Sequence, residues 1–485
     1  MRKPLERGGI GDGLRLGFWS GAGQVFRIGA VICLLTCCPA NAEGILELWE
    51  HVLASNPTLK ASEHRVEQAR AQRDQALSKL LPNAGIRGYY GFNSYNRDVN
   101  GGGFNLYGAG NQEYAGYLGS LQVTQALFDL PSYLKLQGSD RQMEAEEQNA
   151  LSQRMQLAFK LVDNYLSVLE SEDQIVQLQA EKDSLELQLK RVRRMNESQM
   201  TKVTDLYEIE AYTQSVETAL IEAVHVRAIA IEKLREVTGV RINHANKLIV
   251  SDFIEVPRTA DEWVEEALTS NPLLISLQSG SEAAQQMIAS AQSEHLPTAS
   301  VSVQETISNT ITNNLQVLPY NIGSALLNVN IPLYSGGGIE AGKRDAVQRY
   351  QISREKIEEA RRTIEKETRA SWFNVVSGRS RIDSTRKELG FREKAKVAQQ
   401  RGYEVGTSNV VDVLEAHRRM LKASTEFSKA RYDFIRSLIS LRLNAGSLAD
   451  LDLEQISPWF ASETHVKGVD AHARLEELPR GSEPH

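Results

Sequence analysis

Cysteine is nearly absent. Cys33, Cys37 and Cys38 are the only three in 485 residues, so beyond position 38 the chain carries no disulfide framework and no thiolate metal site. Aromatic residues make up 7%. Long segments are dominated by Ala, Glu, Gln, Arg, Leu and Ser, a composition nearer to helical rods than to a compact catalytic domain. No stretch approaches 18 consecutive apolar residues, so entry into a membrane would require a barrel. The nine histidines fall into no metal or triad spacing, and no Gly-x-Ser-x-Gly or His-Glu-x-x-His occurs. These gaps argue against an enzyme, a metal site or a bound cofactor. The formal net charge is -7, which argues against a nucleic-acid partner.

The first 42 residues read as a signal peptide. Arg2, Lys3, Arg7, Arg15 and Arg27 precede the apolar run Ile28 to Cys38, and Ala40 and Ala42 supply the small residues of a cleavage site. A run of about eleven apolar residues is too short for a bilayer core that needs about 20. A lipid-attachment signal is the weaker alternative, because Thr36 and Cys37 precede the cysteines instead of Gly or Ala. Without this segment the balance is 50 basic (55 − 5) against 60 acidic residues (62 − 2).

What is present is a duplication. Leu53-Ala54-Ser55-Asn56-Pro57 returns as Leu268-Thr269-Ser270-Asn271-Pro272, and Leu81-Pro82 as Leu296-Pro297, both offset by 215. Asp205 pairs with Asp412 and Gly239 with Gly446 at an offset of 207, and Leu127-Phe128 with Leu333-Tyr334 at 206. The expected organisation is a first repeat over 43–240, a linker over 241–260, a second repeat over 261–456 and a polar, disordered tail over 457–485. In each half a helix breaks at Asn-Pro and a second ends before Leu-Pro, because proline lacks the amide donor and restricts its predecessor.

Two strands follow in each half, at about 84–97 and 114–128, then about 299–308 and 323–334. Ile86, Tyr90 and Phe92 oppose Arg87 and Asn93, and Leu121 and Val123 oppose Ser120, Gln122 and Thr124. Val301, Val303 and Ile307 oppose Ser302, Gln304 and Thr306, and Leu327 and Val329 oppose Asn328 and Asn330. Strict alternation of this kind suits a sheet whose faces meet different solvents. A soluble half-buried sheet is the blander reading. From about Ser132 to Gln199 there is no proline and one glycine, Gly138. A rod of roughly 100 Å is predicted there. Its seam recurs in sevens through Leu161, Val168 and Ile175, then Leu178, Leu185 and Val192.

Tyr403 to Glu415 interrupts a helical pattern running from about Lys343 to Leu443. Gly406, Thr407, Ser408 and Asn409 supply turn and cap chemistry. Asp412 and Glu415 then share one helix face, and Asp205 and Glu208 are their repeat equivalents. Acids in a first helical turn commonly just complement the dipole, but a ring of them about an axis would favour cations. Gly337-Gly338-Ile339-Glu340-Ala341-Gly342-Lys343 has phosphate-loop spacing. Arg344 stands where Ser or Thr would hold magnesium, so a glycine joint between strand and helix is the preferred reading.

The duplicated Asn-Pro, the Leu-Pro before each strand pair, Pro332-Leu333-Tyr334-Ser335-Gly336-Gly337-Gly338 and Val405-Gly406-Thr407 followed by Asp412-Val413-Leu414 together resemble the TolC-like outer-membrane efflux proteins. The likeness covers about Ile45 to Leu453. It implies an α+β homotrimer in outer-membrane lipid, giving four strands per protomer to a twelve-stranded barrel continued by a helical, coiled-coil-packed barrel into the periplasm. The implied partners are a periplasmic adaptor and an inner-membrane transporter of ABC or RND type. By the same likeness Asp412 and Glu415 match an acidic constriction, Tyr403 and Asp205 a hydrogen-bonded gate pair with Thr204 beside it, and Val405, Gly406 and Thr407 the turn an adaptor docks against. Ser408 departs from the family's arginine, and Gln199 from its first-repeat glycine. A passive export duct is expected, leaning to protein secretion or a shared duct. A periplasmic coiled-coil rod without a pore is the alternative.

Overall fold

The computed structural model describes residues 44–97, 110–242, 245–249, 258–309, 319–448 and 450–461. The segment read as a signal peptide and most of the two strand-connecting loops lie outside them. The first half comprises α1 (Ile45–Ser55), α2 (Pro57–Ser78), β1 (Asn83–Arg97), β2 (Gly110–Phe128), α3 (Leu130–Glu197) and α4 (Val203–Thr238). A short β3 (Lys247–Leu248) follows. The second half comprises α5 (Ala260–Ser270), α6 (Pro272–Ser293), β4 (Thr298–Ser308), β5 (Tyr320–Asn330), α7 (Gly338–Glu404) and α8 (Val410–Ala445). After α9 (Asp450–Ile456) a 3-10 turn, Ser457–Trp459, leads into β6 (Phe460–Ala461). The paired helices match in length: 11 and 11 residues, 22 and 22, 68 and 67, 36 and 36.

The repeated Asn-Pro has a physical function that explains its repetition. Asn56 Oδ1 accepts from the amides of Thr58 and Leu59 at 2.9 and 3.4 Å, capping α2, while Pro57 occupies the first helical position where no donor is needed. Its Nδ2 donates to Val237 O at 2.7 Å, one of the carbonyls left open at the end of α4. Asn271 repeats both contacts, accepting from the Leu273 amide at 3.0 Å and donating to Asn444 O at 2.8 Å at the end of α8. Each asparagine therefore joins the start of one helix to the end of another.

The strands form one antiparallel sheet in the order β1-β2-β4-β5. The register sets Ile86 against Leu121, Leu121 against Glu305 and Val123 against Val303. The apolar face is open: Ile86 and Phe92 are 85% and 87% exposed, and Tyr90, Leu121, Val303, Leu327 and Val329 are exposed beside them. β2 starts earlier than the alternation predicted, at Gly110. β5 runs from Tyr320 to Asn330 instead of 323–334. It ends there because Pro332 has no amide to give the ladder, and Leu333 and Tyr334 leave the sheet.

The long helices pack on the predicted heptads. Leu178, Leu185 and Val192 of α3 are buried, as are Ile209, Val216, Ala223, Ala230 and Val237 of α4, each series spaced by seven. One apolar cluster gathers Leu161, Tyr165, Leu234, Phe434 and Ile435, and a second near the hairpin ends gathers Leu185, Val192, Ile209, Val410 and Leu414. The expected disordered tail needs correction over 457–461. Trp459 and Phe460 are buried, β6 pairs with β3 inside the expected linker, and Phe460 stacks edge-on against Tyr165 at 5.4 Å. Burying two aromatics offsets the ordering of this short segment. At the glycine joint Gly338 N donates to Ser335 O at 3.0 Å and α7 begins at once. No described helix is long and apolar enough to cross a membrane.

Candidate functional site

The turns α3–α4 and α7–α8 form the candidate site, and they are built differently. In the second, the amides of Thr407 and Ser408 both donate to Gly402 O, at 2.8 and 3.2 Å, and Gly406 takes a left-handed φ of 80°. Ser408 Oγ donates to Gln399 Oε1 at 2.8 Å and so closes its own turn. A methyl group on Gly402 would lie 2.6 Å from that hydroxyl oxygen. In the first turn Gln199 holds a φ of 57°, the left-handed geometry for which glycine is suited. Gln199, which departs from the glycine that the family resemblance implies, keeps the left-handed backbone with a side chain in place.

Asp412 and Glu415 are each engaged within the protomer. Asn409 Oδ1 accepts from the Asp412 amide at 2.8 Å while the Asn409 amide donates to Asp412 Oδ2 at 3.2 Å, a reciprocal capping box. Asp412 is exposed. Arg419 Nε donates to Glu415 Oε1 at 2.9 Å, and Arg418 lies 4.0 Å from its other oxygen. Both acids thus have a local structural use, and Glu415 is partly compensated by cations one turn on.

Tyr403 and Asp205 are neighbours joined through a residue that sequence reasoning missed. Thr201 Oγ1 donates to Asp205 Oδ2 at 2.8 Å, and Thr201 lies beside the Tyr403 phenol. The phenol also lies 4.0 Å from Met195 Sδ. Burial and then the Asp205 charge raise the pKa of Tyr403 above its ordinary value, so it stays a neutral donor. Thr204 is exposed beside this group, and Val405, Gly406 and Thr407 are exposed at the extreme of the second turn. Arg191 Nη1 bridges to Glu404 Oε1 at 3.2 Å and ties α3 to α7. No metal-holding group of His, Cys, Asp and Glu occurs among the described residues. The group can pack, hydrogen-bond and present charge.

An exposed apolar four-stranded sheet continued by helical rods defines a class, the outer-membrane channels. The sequence profile of the outer membrane efflux protein family matches residues 48–240 and 263–447, and the chain belongs to that family. It is 27% identical over 425 residues to the outer membrane protein TolC of Salmonella enteritidis, covering 85% of this chain and 84% of that protein. The proteases secretion protein PrtF of Dickeya chrysanthemi is 25% identical over 453 residues, covering 91% and 96%. The fold matches the solved Campylobacter jejuni CmeC outer membrane channel with a TM-score of 0.72 at 16% identity, over 86% of this chain and 90% of that one. The outer membrane is accordingly the chain's location.

Proposed function

We propose that the chain is one protomer of a trimeric outer-membrane duct for passive export. It extends through the periplasm to an adaptor and is driven by an inner-membrane transporter of ABC or RND type. The carrying observation is the sheet: four antiparallel strands with one apolar face exposed, and with β1 and β5 as outer edges paired on one side only. Open edges are costly in lipid, and three such sheets close into twelve strands without edges. A soluble rod would have no use for this surface. The likeness to a protease secretion protein over 91% of the chain supports protein secretion or a shared duct. In this reading the turn Val405-Gly406-Thr407 is the adaptor's landing point. Asp412 and Glu415, three copies each, line the entrance, and the Tyr403-Thr201-Asp205 group stabilises its closed form.

Planar-bilayer recording of the purified protein tests the duct and its charge filter together. The wild type should pass a cation-preferring current, and Asp412→Asn with Glu415→Gln should lower the cation preference several-fold. No current under any condition refutes the duct. A current with unchanged selectivity reduces the two acids to a helix cap and an ion pair.

A further inference from the structure

The nine histidines looked featureless in sequence, yet one of them is almost wholly inside the protein. His417 is 1% exposed and Glu181 3% exposed. Their side chains meet where the α3–α4 and α7–α8 hairpins pack together. His417 lies seven residues after Val410, about 10 Å along α8 from the tip. His417 Nδ1 and Glu181 Oε1 are 2.8 Å apart. An ionised carboxylate can only accept, which assigns the proton to Nδ1. Nε2 is then an acceptor, and Gln188 Nε2 lies 3.1 Å from it. The same Gln188 amide donates to Gln400 Oε1 at 3.1 Å. Tyr212 OH donates to Glu181 Oε1 at 3.4 Å, and Lys396 Nζ lies 3.8 Å from Oε2. Beyond Tyr212, the Arg418 guanidinium sits 4.6 Å over its ring.

All four long helices contribute to this network: Glu181 and Gln188 from α3, Tyr212 from α4, Lys396 and Gln400 from α7, His417 from α8. A buried polar network of this kind inside an apolar seam is strong when complete and costly when cut. His417 follows Val410 by seven residues, so it takes a place in the seam where an apolar residue would pack.

We propose that the Glu181–His417 pair is a clasp holding the second hairpin to the first near the periplasmic end, and that its rupture frees the tip to open. The inference rests on the duct reading. The bond joins two hairpins within one protomer, whereas Ser408 turns back onto Gln399 of its own hairpin. Glu181 and His417 are positioning residues: they act on the entrance through the helices that carry it.

The test records wild type, Glu181→Met, His417→Leu and His417→Asn as full-length trimers in planar bilayers, with thermal unfolding measured in parallel. Cutting one charged hydrogen bond per protomer should raise the open population of Glu181→Met and His417→Leu by about tenfold or more. His417→Asn, whose amide nitrogen can occupy nearly the place of Nδ1, should return close to wild-type conductance. A purely structural pin would lower the unfolding temperature of the variants and leave conductance alone, and that result overturns the clasp while the duct stands. Increased conductance in all three variants, without rescue by asparagine, also overturns it, because lost packing would then be the cause. Should His417→Leu not assemble, Glu181→Met keeps the side-chain length without an acceptor and decides by itself. A wild type and variants that all pass no current sink both the duct and the clasp.

Discussion

Replacing Asn56 by Ala removes two things at once, and the structure allows each to be sized. The side chain is 5% exposed, so water cannot substitute readily. Loss of the N-cap to Thr58 and Leu59 costs about 1 kcal/mol. Loss of the 2.7 Å bond to Val237 O leaves a buried carbonyl at the end of α4 unmet, at about 1–3 kcal/mol. The sum is about 2–4 kcal/mol. For a chain of this size that is a fall of roughly 2–4 °C in the unfolding midpoint, from about 2.1 cal/mol/K of unfolding entropy per residue. Asn56→Asp separates the two parts. It keeps the acceptor that caps α2, removes the donor, and sets a negative charge against the negative end of α4. It should therefore retain most of the loss. Asn271→Ala should repeat the effect through Asn444 O, and the double variant should be close to additive because the two asparagines bond different helices. Denaturant titration followed by helical circular dichroism measures all four variants. A wild-type midpoint for Asn56→Asp, or a loss below about 0.5 kcal/mol for Asn56→Ala, would refute the assignment of the repeated Asn-Pro to helix joining.

Two further substitutions test single features. Gln199→Gly relieves a left-handed side-chain residue and should stabilise the α3–α4 turn by about 1 kcal/mol, slowing amide exchange over its neighbours; faster exchange would contradict this. Phe460→Ala should cost about 3–5 kcal/mol although it lies close to the end of the described chain, because the ring is buried against Tyr165; a loss under about 1 kcal/mol would return the segment to the status of a loose tail.

Sequence alone determined the parts whose signal is local. Alternation with period two marked the strands, heptads marked the seams of α3, and Asn-Pro, Leu-Pro and Gly406 marked the breaks, since each depends on backbone geometry within a few residues. The duplication also announced two equal halves, and helices of matching length carry it. Tertiary structure decided which distant polar groups meet. Asn56 finds Val237 across 181 residues and His417 finds Glu181 across 236, and no periodicity encodes such a meeting. Histidine spacing along the chain made His417 look incidental, because its partner is set by how two hairpins pack. The start of the tail, 457–461, departs from the expected disorder for a related reason: Trp459 and Phe460 have a pocket that only the assembled helices create, and 462–485 lie outside the described residues. Asp412 shows the opposite case. Its capping box is a contact over three residues and is legible in Asn409-Val410-Val411-Asp412, whereas its service at an entrance depends on copies of the chain around an axis.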